Sequence, residues 1–286
     1  SGSGTLKGGS KGDTLKGDTG EATTIEGGAG NDNITGGSAA DTINAGAGDD
    51  TINSSAGADT INGGAGKDGI TLHAENKTID GGDGDDTVNA AALLAYGQTI
   101  KGGAGTDIIT VSDQSTVSSA AGSVVSEFET LNLTDVTDNE TLDLDNFGNN
   151  TFTTVKLGEV SDLTLASVRD EVICITAHLA DTKDLTIVKE SVSGSSDVVN
   201  LKLASTIAID IGDGGAGTNA TNGEFVIVAG VETINITTDD TNATNGNLQH
   251  DFHAKFDSAT TINVTGDSGI NFAIDSTTED LADVTT

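Results

Sequence analysis

The sequence predicts an all-β protein. A parallel β-roll over residues 1–110 continues into an irregular β-solenoid over residues 111–286, with a β-sandwich as the alternative for that second part. Three observations predict it. An aliphatic residue returns every nine positions through the first part, which signals stacked repeats rather than a single core. Glycine is concentrated there, with 26 of the 39 before residue 111. The rest of the chain carries short alternating aliphatic pairs, the period-two pattern of half-buried strands.

The repeat positions are Leu6, Leu15, Ile25, Ile34, Ile43, Ile52, Ile61, Ile70, Ile79, Val88, Ile100 and Ile109. The step is nine, apart from one ten and one twelve. The cleanest copies are GGAGNDNIT (27–35), GGAGKDGIT (63–71), GGDGDDTVN (81–89) and GGAGTDIIT (102–110). Three residues around each aliphatic form a short strand, with the branched side chain inward and its neighbours outward. The six residues before it reverse the chain, and glycine supplies the positive φ such turns need. Two nonapeptides make one coil, so turns two repeats apart stack about 4.8 Å from each other on one edge. A single unit cannot bury its apolar face; stacked units share a continuous core.

The sixth position of the unit is most often Asp, and stacked carboxylates repel unless a cation lies between them. One carboxylate from each turn plus turn carbonyls makes an all-oxygen cage, which suits Ca2+ rather than Zn2+ or Cu2+. On one edge the sixth residues are Asp13, Asp32, Asp50, Asp68, Asp86 and Asp107. The glycines expected to bring carbonyls to these sites are Gly28 and Gly30, Gly46 and Gly48, Gly64 and Gly66, Gly82 and Gly84, and Gly103 and Gly105. On the other edge the series reads Thr23, Asp41, Asp59, Lys77 and Gln98. A lopsided roll is therefore expected: a nearly unbroken cation row on the first edge, and one site between Asp41 and Asp59 on the second. Lys77 has two readings, an ammonium replacing a missing cation beside Asp59, or an ordinary exposed lysine. Taken alone, the residue favours the exposed one. The stretch AAALLAY (90–96) interrupts the period and is the best candidate for a short helix.

The GGxGxDxUx units resemble the RTX nonapeptide repeats over roughly residues 1–110. That resemblance implies a calcium-loaded parallel β-roll in a protein exported by type I secretion. It leaves the wider function open, since toxins, proteases, lipases, adhesins and surface-layer proteins carry such repeats.

In the second part the aliphatic pairs are Leu131/Leu133, Leu142/Leu144, Val155/Leu157, Leu163/Leu165, Ile173/Ile175, Leu185/Ile187, Leu201/Leu203, Ile209/Ile211, Val226/Val228, Ile234/Ile236, Ile262/Val264 and Phe272/Ile274. FETLNLTD (128–135) matches VETINITT (231–238) at an offset of 103. This motif after an RTX tract is similar to the C-terminal regions of Gram-negative surface-layer proteins. Acidic turns at Asp135–Asp145, Asp210–Asp213 and Asp239–Asp240 are further candidates for Ca2+, with solvated turns the competing reading. The ending LADVTT resembles a type I secretion tail, and a frayed terminus would look similar.

Charge narrows the partners. The chain has 45 Asp+Glu against 12 Lys+Arg, a formal charge of −33. Nucleic acid is not an expected partner. No apolar run is long enough to span a bilayer. Cys174 stands alone, which excludes an intramolecular disulfide. The start lacks a Met and a basic-then-apolar leader, so a piece of something longer is expected.

No enzyme is expected. GDSG (266–269) and TAH (176–178) resemble fragments around the serine and histidine of trypsin-like proteases, but 89 residues between His178 and Ser268 are too few for that fold. HExxH is absent from the sequence, and GxSxG occurs as GGSKG (8–12) inside the nonapeptide copy GGSKGDTLK (8–16), which argues against RTX metalloprotease and lipase domains. His250 and His253 read as exposed loop residues, and Cys174 as a small strand thiol.

The resemblances together imply a secreted, calcium-dependent structural protein that self-assembles into a surface layer on a Gram-negative cell. Its partner would be itself, in a lattice or filament, with a cell-surface polysaccharide reached through a missing N-terminal region. The alternatives are an adhesin or matrix-fibre module, and the export and folding domain of a secreted enzyme.

Overall fold

A computed structural model describes residues 4–73, 77–90, 98–112, 124–136, 140–147, 152–160, 163–169, 172–175, 185–189, 198–205, 210–211, 226–229, 231–240, 249–256, 261–266, 269–274 and 283–285. The chain folds as two compact units. One is Ser1–Asn132 with Asp145–Phe152; the other is Leu133–Leu144 with Thr153–Thr286. Composition changes near residue 110, and the compact units divide after Asn132.

The first unit contains β1 (Thr5–Lys7), β2 (Thr14–Lys16), β3 (Thr24–Ala29), β4 (Asn33–Thr35), β5 (Thr42–Ala47), β6 (Thr51–Asn53), β7 (Thr60–Ala65), β8 (Gly69–Thr71), β9 (Thr78–Asp83), β10 (Thr87–Asn89), β11 (Thr99–Ala104), β12 (Ile108–Val111) and β13 (Val124–Ser126). Odd-numbered strands stack in one row, β1-β3-β5-β7-β9-β11-β13, and even-numbered strands in a second, β2-β4-β6-β8-β10-β12. Every pairing described is parallel and in register. Thr24 lies opposite Thr42, and Thr42 opposite Thr60, an offset of eighteen that is two nonapeptides. The longer steps in the sequence appear as Thr5 opposite Thr24 and Thr78 opposite Thr99.

The reason is in the letters. In Thr-Ile-Asn the β-branched centre points inward and the polar flanks point out, giving an exposed-buried-exposed pattern in β5 and β7. Ile25, Ile34, Ile43, Ile52, Ile61, Ile70, Ile79, Val88, Ile100 and Ile109 are all buried and form the shared core. Leu6 and Leu15, on the first coil, are only half-buried. Of the candidate helix, Ala90 is described and buried; 91–97 lie outside the described residues.

A further strand, β14 (Thr130–Val136), crosses the boundary between the units. The second unit contains β15 (Glu140–Asp143), β16 (Thr154–Val160), β17 (Leu163–Val168), β18 (Val172–Ile175), β19 (Leu185–Lys189), β20 (Val198–Ser205), β21 (Asp210–Ile211), β22 (Val226–Ala229), β23 (Thr233–Asp240), β24 (Gln249–Phe256), β25 (Thr261–Gly266), β26 (Gly269–Ile274) and β27 (Asp283–Thr285). One row runs β16-β18-β20-β23-β25-β27, the other β15-β17-β19-β22-β24, with β21 and β26 also paired to β24. Successive strands mostly alternate between rows, and their pairings are parallel. That is a solenoid with coils of uneven length, not a sandwich.

Three details differ from the sequence reading. Leu144 leaves the strand pattern and opens a 3-10 turn, Leu144–Phe147. His250 and His253 lie within β24 rather than in a loop. Asp283–Thr285 of the expected secretion tail forms β27, parallel to β25. TAH (176–178), Asp213 and residues 137–139 of the Asp135–Asp145 stretch lie outside the described residues, whereas Asp239–Asp240 end β23.

Candidate calcium centre

The first-edge aspartates sit immediately before the even strands, so the stacking of those strands sets their spacing. Each Oδ1 accepts the main-chain N–H of the Asp one coil earlier. Asp13 N–H donates to Asp32 Oδ1 (2.8 Å), Asp32 to Asp50 (2.7 Å), Asp50 to Asp68 (2.8 Å), Asp68 to Asp86 (2.8 Å) and Asp86 to Asp107 (2.7 Å). Asp32, Asp50, Asp68, Asp86 and Asp107 are each at most 2% exposed. Their second oxygens, Oδ2, are buried and accept no hydrogen bond from the protein. A row of orphaned carboxylate oxygens is costly to bury unless a cation faces it.

The glycines show what faces it. A Cβ placed on Gly63 would stand 2.4 Å from the carbonyl oxygen of Gly81 and 2.5 Å from Asp68 Oδ2. On Gly81 it would stand 2.2 Å from Gly102 O and 2.5 Å from Asp86 Oδ2. The orphaned oxygen and a carbonyl of the next coil thus flank one small space that any side chain would fill. Gly64 and Gly66 hold φ of +115° and +133°, and the other expected pairs do likewise, from Gly28 and Gly30 to Gly103 and Gly105. An L side chain resists that conformation, and a Cβ on Gly64 would collide with Gly46 O. Among the described residues no group of three or more His, Cys, Asp or Glu side chains gathers as a metal cluster. The oxygens available to hold a cation are instead one carboxylate oxygen per coil plus main-chain carbonyls, a hard-oxygen set that fits Ca2+.

A family model of the RTX calcium-binding nonapeptide repeat, in four copies, matches residues 19–52, 35–70 and 74–92. The chain carries an RTX calcium-binding β-roll. No curated protein and no solved structure matches it. RTX nonapeptide repeats bind multiple Ca2+ ions, and proteins that carry them are typically secreted. Among the described residues no helix is long and apolar enough to cross a membrane.

Without a cation the RTX roll holds its own carboxylates uncomfortably. Burial pushes Asp68 and Asp107 up to about 6 and also raises Asp50 and Asp86, with neighbouring aspartates adding to the rise. Ca2+ would supply the countercharge; the chain's part is to align the Oδ2 atoms and carbonyls around the space that receives it.

The second edge solves the same problem differently. Thr23 N–H donates to Asp41 Oδ1 (2.7 Å) and Asp41 N–H to Asp59 Oδ1 (2.9 Å), so the stacking is intact. Here, however, the second oxygens have protein donors. Gly37 N–H reaches Asp41 Oδ2 at 2.5 Å. Lys77 Nζ reaches Asp59 Oδ2 at 2.6 Å and also donates to Gly57 O (2.6 Å) and Ser55 O (3.1 Å). Both side chains of the pair are fully buried. The exposed reading of Lys77 is overturned: its ammonium has the all-oxygen surroundings that a metal ion would have. Ser55, at φ 55°, shapes the altered SSAGAD turn that presents those carbonyls. Asp13, on the first coil, resembles Asp41, since its Oδ2 accepts Gly9 N–H at 2.6 Å.

Sequence reading missed Glu129. Its Oε2 accepts Asp107 N–H at 2.7 Å, the role each Asp Oδ1 plays below it. The signal was present: Glu-Thr-Leu-Asn at 129–132 has the phase of Asp-Thr-Ile-Asn at 50–53 on the same edge.

Proposed function

We propose that this RTX chain is a calcium-dependent structural protein that is secreted and assembles with copies of itself into a surface layer on a Gram-negative cell. It performs no catalysis in this reading. The observation that carries it is the row of buried, orphaned carboxylates, which makes the order of the first unit depend on a divalent cation. At low Ca2+ the acidic repeats repel one another, a state suited to export of an unfolded chain; outside the cell, cation binding becomes folding free energy. With a net charge of −33, like copies repel, so a lattice also calls for cations between them. Regular polar ladders support a scaffold role: Asn263 Nδ2 donates to Asn235 Oδ1 and Asn235 Nδ2 to Asn200 Oδ1, each at 2.9 Å. The likeness of the ETLNLT and ETINIT stretches to surface-layer C-terminal regions supports the layer over other secreted scaffolds.

The test is negative-stain electron microscopy of the purified chain in millimolar Ca2+ and in chelator. Sheets or filaments that form only with Ca2+ are expected. Folded monomers in Ca2+ would contradict the layer, leave the roll intact, and favour an adhesin or an export appendage.

A further inference from the structure

The cation row has one more rung than its repeats. The nonapeptide match ends at residue 92, and the last full GGxGxD unit ends at Asp107. Beyond it the glycines stop, yet the geometry of the cage does not. A Cβ on Gly102 would stand 2.7 Å from Asp107 Oδ2 and 2.0 Å from the carbonyl oxygen of Glu127. This is the arrangement found at Gly63 and Gly81, with Glu127 in the place of a repeat glycine. Glu127 holds φ of 63°, a left-handed conformation uncommon outside glycine. Two residues on, Glu129 stands where the next Asp would be: its carboxylate caps Asp107 N–H, and Glu129 and Thr130 N–H both donate to Asp107 O (3.2 and 3.0 Å). Asp107 is fully buried and its Oδ2 accepts no hydrogen bond.

We infer that Asp107 Oδ2, the Glu127 carbonyl and the Glu129 carboxylate form a terminal Ca2+ site built half from the last repeat and half from non-repeat sequence. It rests on the calcium reading of the first edge and is independent of surface-layer assembly. The site closes the row: without it, the last buried carboxylate would face no cation on its outer side. Carboxylates from both coils and a main-chain oxygen give it the same hard-donor chemistry as the internal sites.

Native mass spectrometry of the full chain, titrated with Ca2+, counts the ions bound. Glu129→Gln keeps an oxygen acceptor for Asp107 N–H while removing the charge. It is expected to keep the β-sheet circular dichroism in saturating Ca2+ but to hold one ion fewer, or to bind its last ion at least tenfold more weakly. A variant that follows the wild-type count throughout would show a cap without a ligand and overturn the site. Glu127→Gly, which retains the carbonyl, is expected to keep the full count; a lost ion there would move the donor to the Glu127 side chain and contradict the assignment. Anomalous diffraction from wild-type crystals grown in Ca2+ reads the site without any variant. A peak between Gly102 and Glu127 supports it, and a filled row that stops short of that point overturns it. Loss of ions along the whole row would instead strike at the calcium reading itself.

Discussion

Lys77 shows how one substitution changes the chemistry of a repeat. At the sixth position of its nonapeptide it places an ammonium beside Asp59 Oδ2 and two carbonyls, with nothing exposed. A buried ion pair gains little over a well-packed apolar pair, but removing one partner strands the other, at about 3–5 kcal/mol. Lys77→Ala is therefore expected to lower the stability of the first unit by roughly that amount at limiting Ca2+. Added Ca2+ should recover part of the loss, because Asp59 Oδ2, Gly57 O and Ser55 O remain as oxygen donors. Thermal melts at limiting and at saturating Ca2+ measure both effects, and a variant as stable as wild type at limiting Ca2+ would contradict the account. A lone lysine usually is exposed, which is why Lys77 reads as exposed from sequence. Its phase, in register with Asp41 and Asp59, was the better guide.

Along an edge, the relevant unit is the row of carboxylates that the strands hold one coil apart. Asp68 and Asp107 are raised to about 6, and Asp50 and Asp86 are raised too, chiefly by burial. A carboxyl with a higher pKa folded than unfolded takes up protons on folding. Its contribution to stability is full below about pH 4 and is lost as pH rises through about 6. In calcium-stripped buffer, acidification from about pH 7 to pH 5 should thus shift the roll toward its folded state, read as a gain of β-sheet circular dichroism, while calcium affinity falls over the same window because protons compete for the same oxygens. A β-sheet signal that falls on acidification without Ca2+ would contradict this. The row was readable because Asp keeps one phase with glycine and the aliphatic. Glu129 was not read as part of it because the glycines that mark the repeat had gone, leaving only the Glu-Thr-Leu-Asn phase.

At the scale of the molecule, periodicity carried most of the fold. Nine-residue steps gave the two rows of the first unit, their registers and even the longer coils at Thr5/Thr24 and Thr78/Thr99. The second unit was harder to read. Its coils vary in length, so aliphatic pairs located most strands without fixing which strand lies beside which; the parallel alternation of rows settled solenoid over sandwich. β24 was not legible because only Phe252, Ala254 and Phe256 mark its alternation, among His250, Asp251, His253 and Lys255. β13 and β27 are only three residues long, too short to show a period.

The central claim is that the first unit owes its order to calcium held by the Asp row. Circular dichroism of the full chain at neutral pH, titrated with Ca2+ from a chelated start, tests it most directly. The account predicts a cooperative gain of β-sheet signal that the same concentration of Mg2+ does not reproduce, since Mg2+ demands a tighter octahedral cage. A full β-sheet signal in chelator, unchanged by Ca2+, would contradict it.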